Sequence, residues 1–198
     1  MPHEYAIIVI LLVLAYLIGS VPTGLLLGKA CGVDVRKEGS GNIGATNLYR
    51  TVGRKIGVIT LVGDCLKGMI PVLLVKFSSL PSGYAAWVGL AAFCGHVFSV
   101  FLRFKGGKGV ATALGVFLAL APLAVGAALL VFITLMLIFR YVSLGSIAAA
   151  VVMPLAVILL GGSKELIAVT LVIAVVVVVK HHENIRRLLA GTESRFKA

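Results

Sequence analysis

Acidic residues are few in this chain, 7 Asp and Glu against 18 Lys and Arg, and nowhere do they gather into a cluster. Without such a cluster Mg²⁺ has no seat, which speaks against a metal-dependent alcohol-phosphate transferase and against a nucleotide-driven pump. No H-E-x-x-H occurs, so a zinc peptidase site is missing too. Cysteine is equally sparse. Cys31, Cys65 and Cys94 form no C-x-x-C pair, which removes a disulfide framework and a thiolate metal site and leaves three small, buried residues. No linker rich in Ser, Pro or like charges divides the chain, so residues 1–198 read as one integral-membrane domain. The first apolar run has no positive residue before it and no small-x-small cleavage site after it, which argues against a secretory signal.

What fills the chain is hydrocarbon. Hydrophobic residues make up 60% and charged residues 13%, and the mean hydropathy of +1.12 lies outside the soluble class. The apolar runs are about 20 residues long or a little less, the length that crosses a hydrocarbon core about 30 Å thick. Seven spans are predicted: Tyr5–Leu27, Ile56–Phe77, Tyr84–Leu102, Val110–Leu120, Leu123–Phe139, Val142–Leu160 and Leu166–Val179. The expected fold is therefore all-α, a polytopic membrane bundle of seven transmembrane helices. The fourth span is short, rising only about 16 Å at 1.5 Å per residue. It is either a half-helix or extends back through Gly107.

Charge orients the bundle. With seven crossings, every Lys and Arg except Lys67, Lys76 and Lys164 falls on one side, from Lys29 to Lys197. The positive-inside rule makes that side cytoplasmic, with the N-terminus outside and the C-terminus in the cytoplasm. A fourth crossing is needed, since without it Arg140 and the tail would change sides. Within the spans, Gly24 and Gly28 make a GxxxG step that reads as close helix packing. Asp64 and Lys67, three apart on the second span, share a face and can pair; the structural reading is preferred to substrate contact.

Three polar, glycine-rich or basic segments fall on the cytoplasmic side. GSGNIGATN, from Gly39 to Asn47, contains a literal G-x-G-x-x-G, but no strand precedes it and no βαβ unit can be drawn. Gly41 and Gly44 let backbone N–H groups turn inward as an anion nest, and Ser40, Asn42, Thr46 and Asn47 add neutral donors. A connecting turn is the plainer alternative. KGGKGVAT, from Lys105 to Thr112, places Gly106, Gly107, Lys108 and Gly109 before an apolar helix, where N–H groups, helix dipole and ammonium converge on an anion. It is not a Walker A loop; the alternative is a flexible basic loop. KHHENIRRLLAGTE, from Lys180 to Glu193, puts His181, Asn184 and Leu188 on one face of an extended last helix. A polybasic lipid anchor is the alternative there. Ser143 and Ser146 open the sixth span, as caps or as phosphate ligands. Phosphate-holding groups thus outnumber groups for cleaving difficult bonds, and no His is followed five positions on by Asp, the arrangement of soluble glycerolipid acyltransferases.

SGNIGATN, GGKGVAT and HxxNIRRLLAGTE resemble, in order and spacing, the signature segments of the bacterial acyl-phosphate:glycerol-3-phosphate acyltransferases, and the likeness includes the Asp64–Lys67–Gly68 pattern. The resemblance implies acyl transfer from acyl phosphate to the 1-hydroxyl of sn-glycerol 3-phosphate. Lysophosphatidic acid and phosphate would be the products, in the first step of phospholipid synthesis. It implies an enzyme of the bacterial cytoplasmic membrane opening to the cytoplasm, a monomer in contact with lipid, without nucleic acid, cofactor or metal. Ser40, Lys108, His181 and Asn184 are then the catalytic candidates. Gly41, Asn42, Gly44, Thr46, Asn47, Arg50, Gly106, Gly107, Gly109, Ser143, Ser146 and Glu193 would bind substrate, with Asp64 and Lys67 behind them. Either His181 or the leaving phosphate would serve as base, the phosphate being favoured because no carboxylate is placed to orient the imidazole. A transporter or exchanger of an organic phosphate is the rival reading, weakened by the absence of an internal repeat. A lipid-binding scaffold leaves the alternating Ser, Asn and Gly unexplained.

Overall fold

Helix is the only regular structure among the described residues of the computed structural model, 2–81 and 83–196. Lipid offers the backbone no hydrogen-bond partner, so a spanning segment must satisfy its own N–H and C=O groups. Lys197, counted above on the basic side, lies outside these residues. The chain forms two compact units, Met1–Ala119 and Leu120–Ala198.

The first unit contains α1 (Pro2–Ser20), α2 (Thr23–Ala30), α3 (Ala45–Thr51), α4 (Arg54–Lys76), α5 (Gly83–Val97), a 3₁₀ turn (Val100–Leu102) and nearly all of α6 (Val110–Leu120). Small residues let its helices touch. A Cβ on Gly19 would strike the Ala92 carbonyl and one on Gly95 the Tyr16 carbonyl, which brings α1 against α5. Gly68 and Gly115 do the same for α4 and α6, at the Thr112 and Cys65 carbonyls. The Lys76 ammonium donates to the Ala119 carbonyl at 2.7 Å, satisfying an acceptor at the end of α6.

The first and third spans stand as crossing segments by length and composition, but their helices are broken or shorter, and the reading of Gly24 and Gly28 changes. The first span is not one continuous helix: it breaks at Val21 and Pro22, because proline has no N–H to continue the ladder. The carbonyls released by the break are taken up elsewhere, that of Ser20 by the Ser99 hydroxyl at 2.6 Å and that of Val21 by the Lys67 ammonium at 2.8 Å. Gly24 and Gly28 do not pack helix on helix. Their missing side chains make room for the Ile43 carbonyl and for Val35 and the Val33 carbonyl, so the connecting loop lies on α2. The third span ends as an α-helix at Val97; Arg103 and Phe104 then adopt φ of 51° and 63°, turning the chain back toward α5. The fourth helix starts at Val110 and does not extend through Gly107, since Gly109 has a φ of 83°.

The second unit contains α7 (Pro122–Phe139), α8 (Val142–Leu159), α9 (Lys164–Lys180) and α10 (His182–Leu189). Pro122 opens α7, where a missing N–H costs nothing, and the Ser163 hydroxyl caps α9 by accepting from Leu166 N at 3.2 Å. Gly145 of α8 gives Phe132 of α7 its space. The last helix does not extend straight: α9 and α10 bend by 55° at His181. Among the described residues, by length and composition, five segments can cross a membrane, Tyr5–Ala30, Arg54–Lys76, Gly83–Leu102, Pro122–Phe139 and Val142–Leu159, and the bent pair, counted as one span, makes a sixth. Val110–Leu120 is shorter than they are. Outward-facing Ile7, Val9, Leu130 and Leu137 give α1 and α7 surfaces suited to lipid.

Candidate active site

The Gly39–Asn47 loop is organised by one buried side chain. The Asn47 amide accepts from Ser40 N at 2.9 Å and donates to the carbonyls of Val35 (3.0 Å), Glu38 (3.1 Å) and Asn42 (2.8 Å). Asn42 in turn accepts from Gly44 N at 2.8 Å, and Gly41 N donates to the Glu38 carbonyl at 2.9 Å. The N–H groups of Ser40, Gly41 and Gly44 are therefore spent inside the loop, which differs from the open anion nest expected of them. Asn47 and Asn42 are likewise occupied as the loop's own fasteners. The geometry leaves Ser40 on the exposed rim and Thr46 half-buried in the first turn of α3, with Arg50 exposed in its last.

The Lys105–Thr112 segment is shaped from outside. Gly106 N donates to the Val97 carbonyl at 3.2 Å and Gly107 N to the His96 carbonyl at 3.1 Å, so these two glycines close the end of α5 instead of facing an anion. A Cβ on Gly106 would strike the His96 carbonyl, one on Gly107 the His96 ring and one on Gly109 the Phe93 ring. Close approach explains Gly106 and Gly107, and Gly109 in addition needs its left-handed φ of 83°. Lys108 is half-buried directly before α6. The first intrahelical bond there is Ala113 N to the Gly109 carbonyl at 2.7 Å. The N–H groups from Gly109 to Thr112 thus precede the helical ladder, the usual place for an anion at a helix start. The two loops share an apolar footing, because Ile43 of the first belongs to a cluster with Leu25, Val35 and Leu48 on which Leu102, just before the second, also packs.

Behind the second loop lies a buried polar row. Asp64 and Lys67 meet at 2.8 Å, and Lys67 also holds the Val21 carbonyl. His96, 4% exposed, turns Nδ1 toward Asp64 Oδ1 at 3.7 Å. Sequence reasoning missed His96. Its only signal was an imidazole at the end of an apolar run, ten residues before Gly106.

In the second unit the hub is Glu193. Its carboxylate accepts from the Ser143 hydroxyl at 2.7 Å, Asn184 Nδ2 at 2.6 Å and Arg187 Nε at 2.7 Å. Burial pushes the Glu193 carboxyl up, but hydrogen bonds from Ser143, Arg187 and Asn184, with the Arg187 charge, outweigh this and hold it below its ordinary value. The tail is tied down again where Phe196 N donates to the Arg140 carbonyl at 2.6 Å. Neither serine is a helix cap: Ser143 serves Glu193, and Ser146 donates back to the Val142 carbonyl at 2.8 Å. His181, 3% exposed at the bend, places Nδ1 at 2.7 Å from the Val177 carbonyl. A carbonyl only accepts, so Nδ1 carries the proton and Nε2 is the basic nitrogen. The backbone thereby does the orienting for which no carboxylate was found in the sequence.

A family model for glycerol-3-phosphate acyltransferase matches residues 9–191. The chain belongs to the glycerol-3-phosphate acyltransferase family. Among its relatives, the glycerol-3-phosphate acyltransferase of Trichlorobacter lovleyi is 70% identical over 93% of this chain and 95% of its own length. That of Geobacter sulfurreducens is 60% identical over 96% and 97%. Two crystal structures of PlsY (YgiH), described as an integral membrane glycerol 3-phosphate acyltransferase, also match at 43% identity. Its glycerol 3-phosphate form gives a TM-score of 0.92 over 96% of both chains. Its lysophosphatidic acid form gives 0.89 over 96% of this chain and 95% of that one. Together with the apolar helices, these likenesses make this glycerol-3-phosphate acyltransferase family member a multi-pass membrane protein.

Proposed function

We propose that this protein transfers a fatty acyl group from an acyl phosphate to the 1-hydroxyl of sn-glycerol 3-phosphate, releasing lysophosphatidic acid and inorganic phosphate. The observation that carries the reading is the end-to-end likeness to a solved glycerol 3-phosphate form. Because the family match at 9–191 runs across the boundary between the two compact units, both are read as parts of one acyltransferase.

The acyl phosphate is a mixed anhydride and already activated, so positioning and charge stabilisation supply most of the acceleration. Lys108, the N–H groups at the start of α6 and the Ser40 hydroxyl hold the donor phosphate and the negative charge that develops as it leaves. Arg50, Ser146, His181 and Asn184 bind and orient glycerol 3-phosphate, with Glu193 fixing the Asn184 amide. The 1-hydroxyl oxygen bonds to the acyl carbon as the bond from that carbon to the phosphate oxygen breaks. The hydroxyl proton passes to the leaving phosphate, with His181 Nε2 as the competing acceptor. Both substrates are phosphates that come from the cytoplasm, while the acyl chain and the product belong in the bilayer.

The remaining topology follows from the charges. Seven crossings, with α6 as the fourth, an outside N-terminus and a cytoplasmic tail, keep the basic segments on one side of the bacterial inner membrane. The working unit is a monomer. The test is formation of lysophosphatidic acid by purified protein from labelled glycerol 3-phosphate, with palmitoyl phosphate or palmitoyl-CoA as donor. Product from the acyl phosphate alone is expected. Product only from the thioester would refute the donor, and uptake into liposomes without lipid product would replace the enzyme by a transporter.

A further inference from the structure

We propose that His96 is a positioning residue for the phosphate-holding loop, its ring forming the seat on which Gly107 rests and from which Lys108 is presented. The inference rests on the reading above in which Lys108 holds the donor phosphate.

The geometry joins one row of groups to that loop. The Val21 carbonyl accepts from Lys67 at 2.8 Å, Lys67 pairs with Asp64 at 2.8 Å, and Asp64 Oδ1 faces His96 Nδ1 at 3.7 Å. On its other edge the imidazole lies against Gly107. The three atoms that an added Cβ would meet there are all of the His96 ring, Nε2 first, then Cε1 at 3.1 Å and Cδ2 at 3.2 Å. The His96 carbonyl holds the same residue a second time, by accepting from its N–H at 3.1 Å. Gly107 has no left-handed φ, so backbone freedom does not account for a glycine at this position. Room for the ring does. Burying an Asp, a Lys and a His in a membrane-spanning region is costly, and an apolar side chain would fill the space of the imidazole more cheaply. A buried polar ring that faces Asp64 at 3.7 Å behind and touches the loop in front sets the height and direction of the chain just before Lys108. A displacement of about 1 Å at such a point costs on the order of 100-fold in rate.

The test is a suppressor cycle read in the acyl-transfer assay, with each variant shown to be folded by its thermal unfolding in detergent. Gly107→Ala is expected to lower kcat/KM about 100-fold, because the methyl pushes the loop off the ring. His96→Ala is expected to raise the KM for acyl phosphate about tenfold while the KM for glycerol 3-phosphate stays within about twofold. The double variant His96→Ala/Gly107→Ala should recover at least about tenfold over Gly107→Ala, since the three atoms nearest the methyl all belong to the ring. If His96→Ala does not fold, His96→Asn enters the same cycle. A single His96 variant with both KM values and kcat unchanged, or a double variant no better than Gly107→Ala, overturns the inference. Wild-type protein inactive with acyl phosphate would overturn the donor reading instead, and is recognised before any variant is measured.

Discussion

In Gly39–Asn47 the backbone wraps around a side chain of its own, the Asn47 amide, whereas in Lys105–Thr112 it lies against the end of another element, α5. Both segments look alike as strings of Gly with Ser, Asn or Lys. Their glycines have different duties. Gly39 and Gly41 stand at φ of 57° and 69°, where only glycine is at ease, while Gly106 and Gly107 are needed for the room taken by His96. The first loop is thus a self-contained fold whose failure should register as stability. The second presents a cation on a borrowed surface, and its failure should register as rate.

The sharpest way to break this comparison is to swap the two readouts. Lys108→Met should lower kcat/KM on the order of 10³-fold, the scale of losing one donor to developing negative charge, with thermal unfolding unchanged. Asn47→Ala should cost about 2–4 kcal/mol of stability, because it strands several buried backbone groups at once; its unfolding midpoint in detergent is the check. If Asn47→Ala left stability intact and Lys108→Met unfolded the protein, the contrast would be reversed. Smaller is the effect of His181→Ala, expected to raise the KM for glycerol 3-phosphate about tenfold with kcat changed less. A collapse of kcat by about 10⁴ would make Nε2 the base.

Below that comes Gly41→Ala, which should cost about 1–2 kcal/mol through left-handed strain, with Gly41→Asn milder. Gly106→Ala, by contrast, has no left-handed φ to strain and fails against the carbonyls of His96 and Val97. The smallest effect is electrostatic. The Glu193 carboxyl is held below its ordinary 4.5, so its contribution to stability is complete above that pH and is lost as pH falls through the lowered folded value. Glu193→Gln should flatten the acid limb of a stability–pH curve and leave the neutral region little changed in slope.

Helix positions were legible wherever punctuation was strong. Gly109 and Pro122 bracket α6, and its predicted span and its observed range coincide at Val110–Leu120. The break at Pro22 was not legible, because a proline inside an apolar run reads as tolerated until the groups that take up the freed carbonyls, Lys67 and Ser99, are seen. Residues of the candidate site could be picked out by type, but their partners could not. Nothing in the spacing shows that Asn47 turns inward on Val35, that Glu193 returns to Ser143 fifty residues earlier, or that His96 underlies Gly107. Each of these is a tertiary contact with no periodic signature. The tautomer of His181 was hidden for a related reason, since its orienting group is the Val177 carbonyl and every residue carries one.

With acyl phosphate as the donor, its phosphate leaves as the acyl group reaches glycerol 3-phosphate. Phosphorus NMR of purified protein turning over both substrates in one tube tests this directly. Acyl phosphate lost, inorganic phosphate gained and lysophosphatidic acid gained in equal amounts are expected. Lysophosphatidic acid formed without inorganic phosphate, or inorganic phosphate released without lysophosphatidic acid, would contradict it.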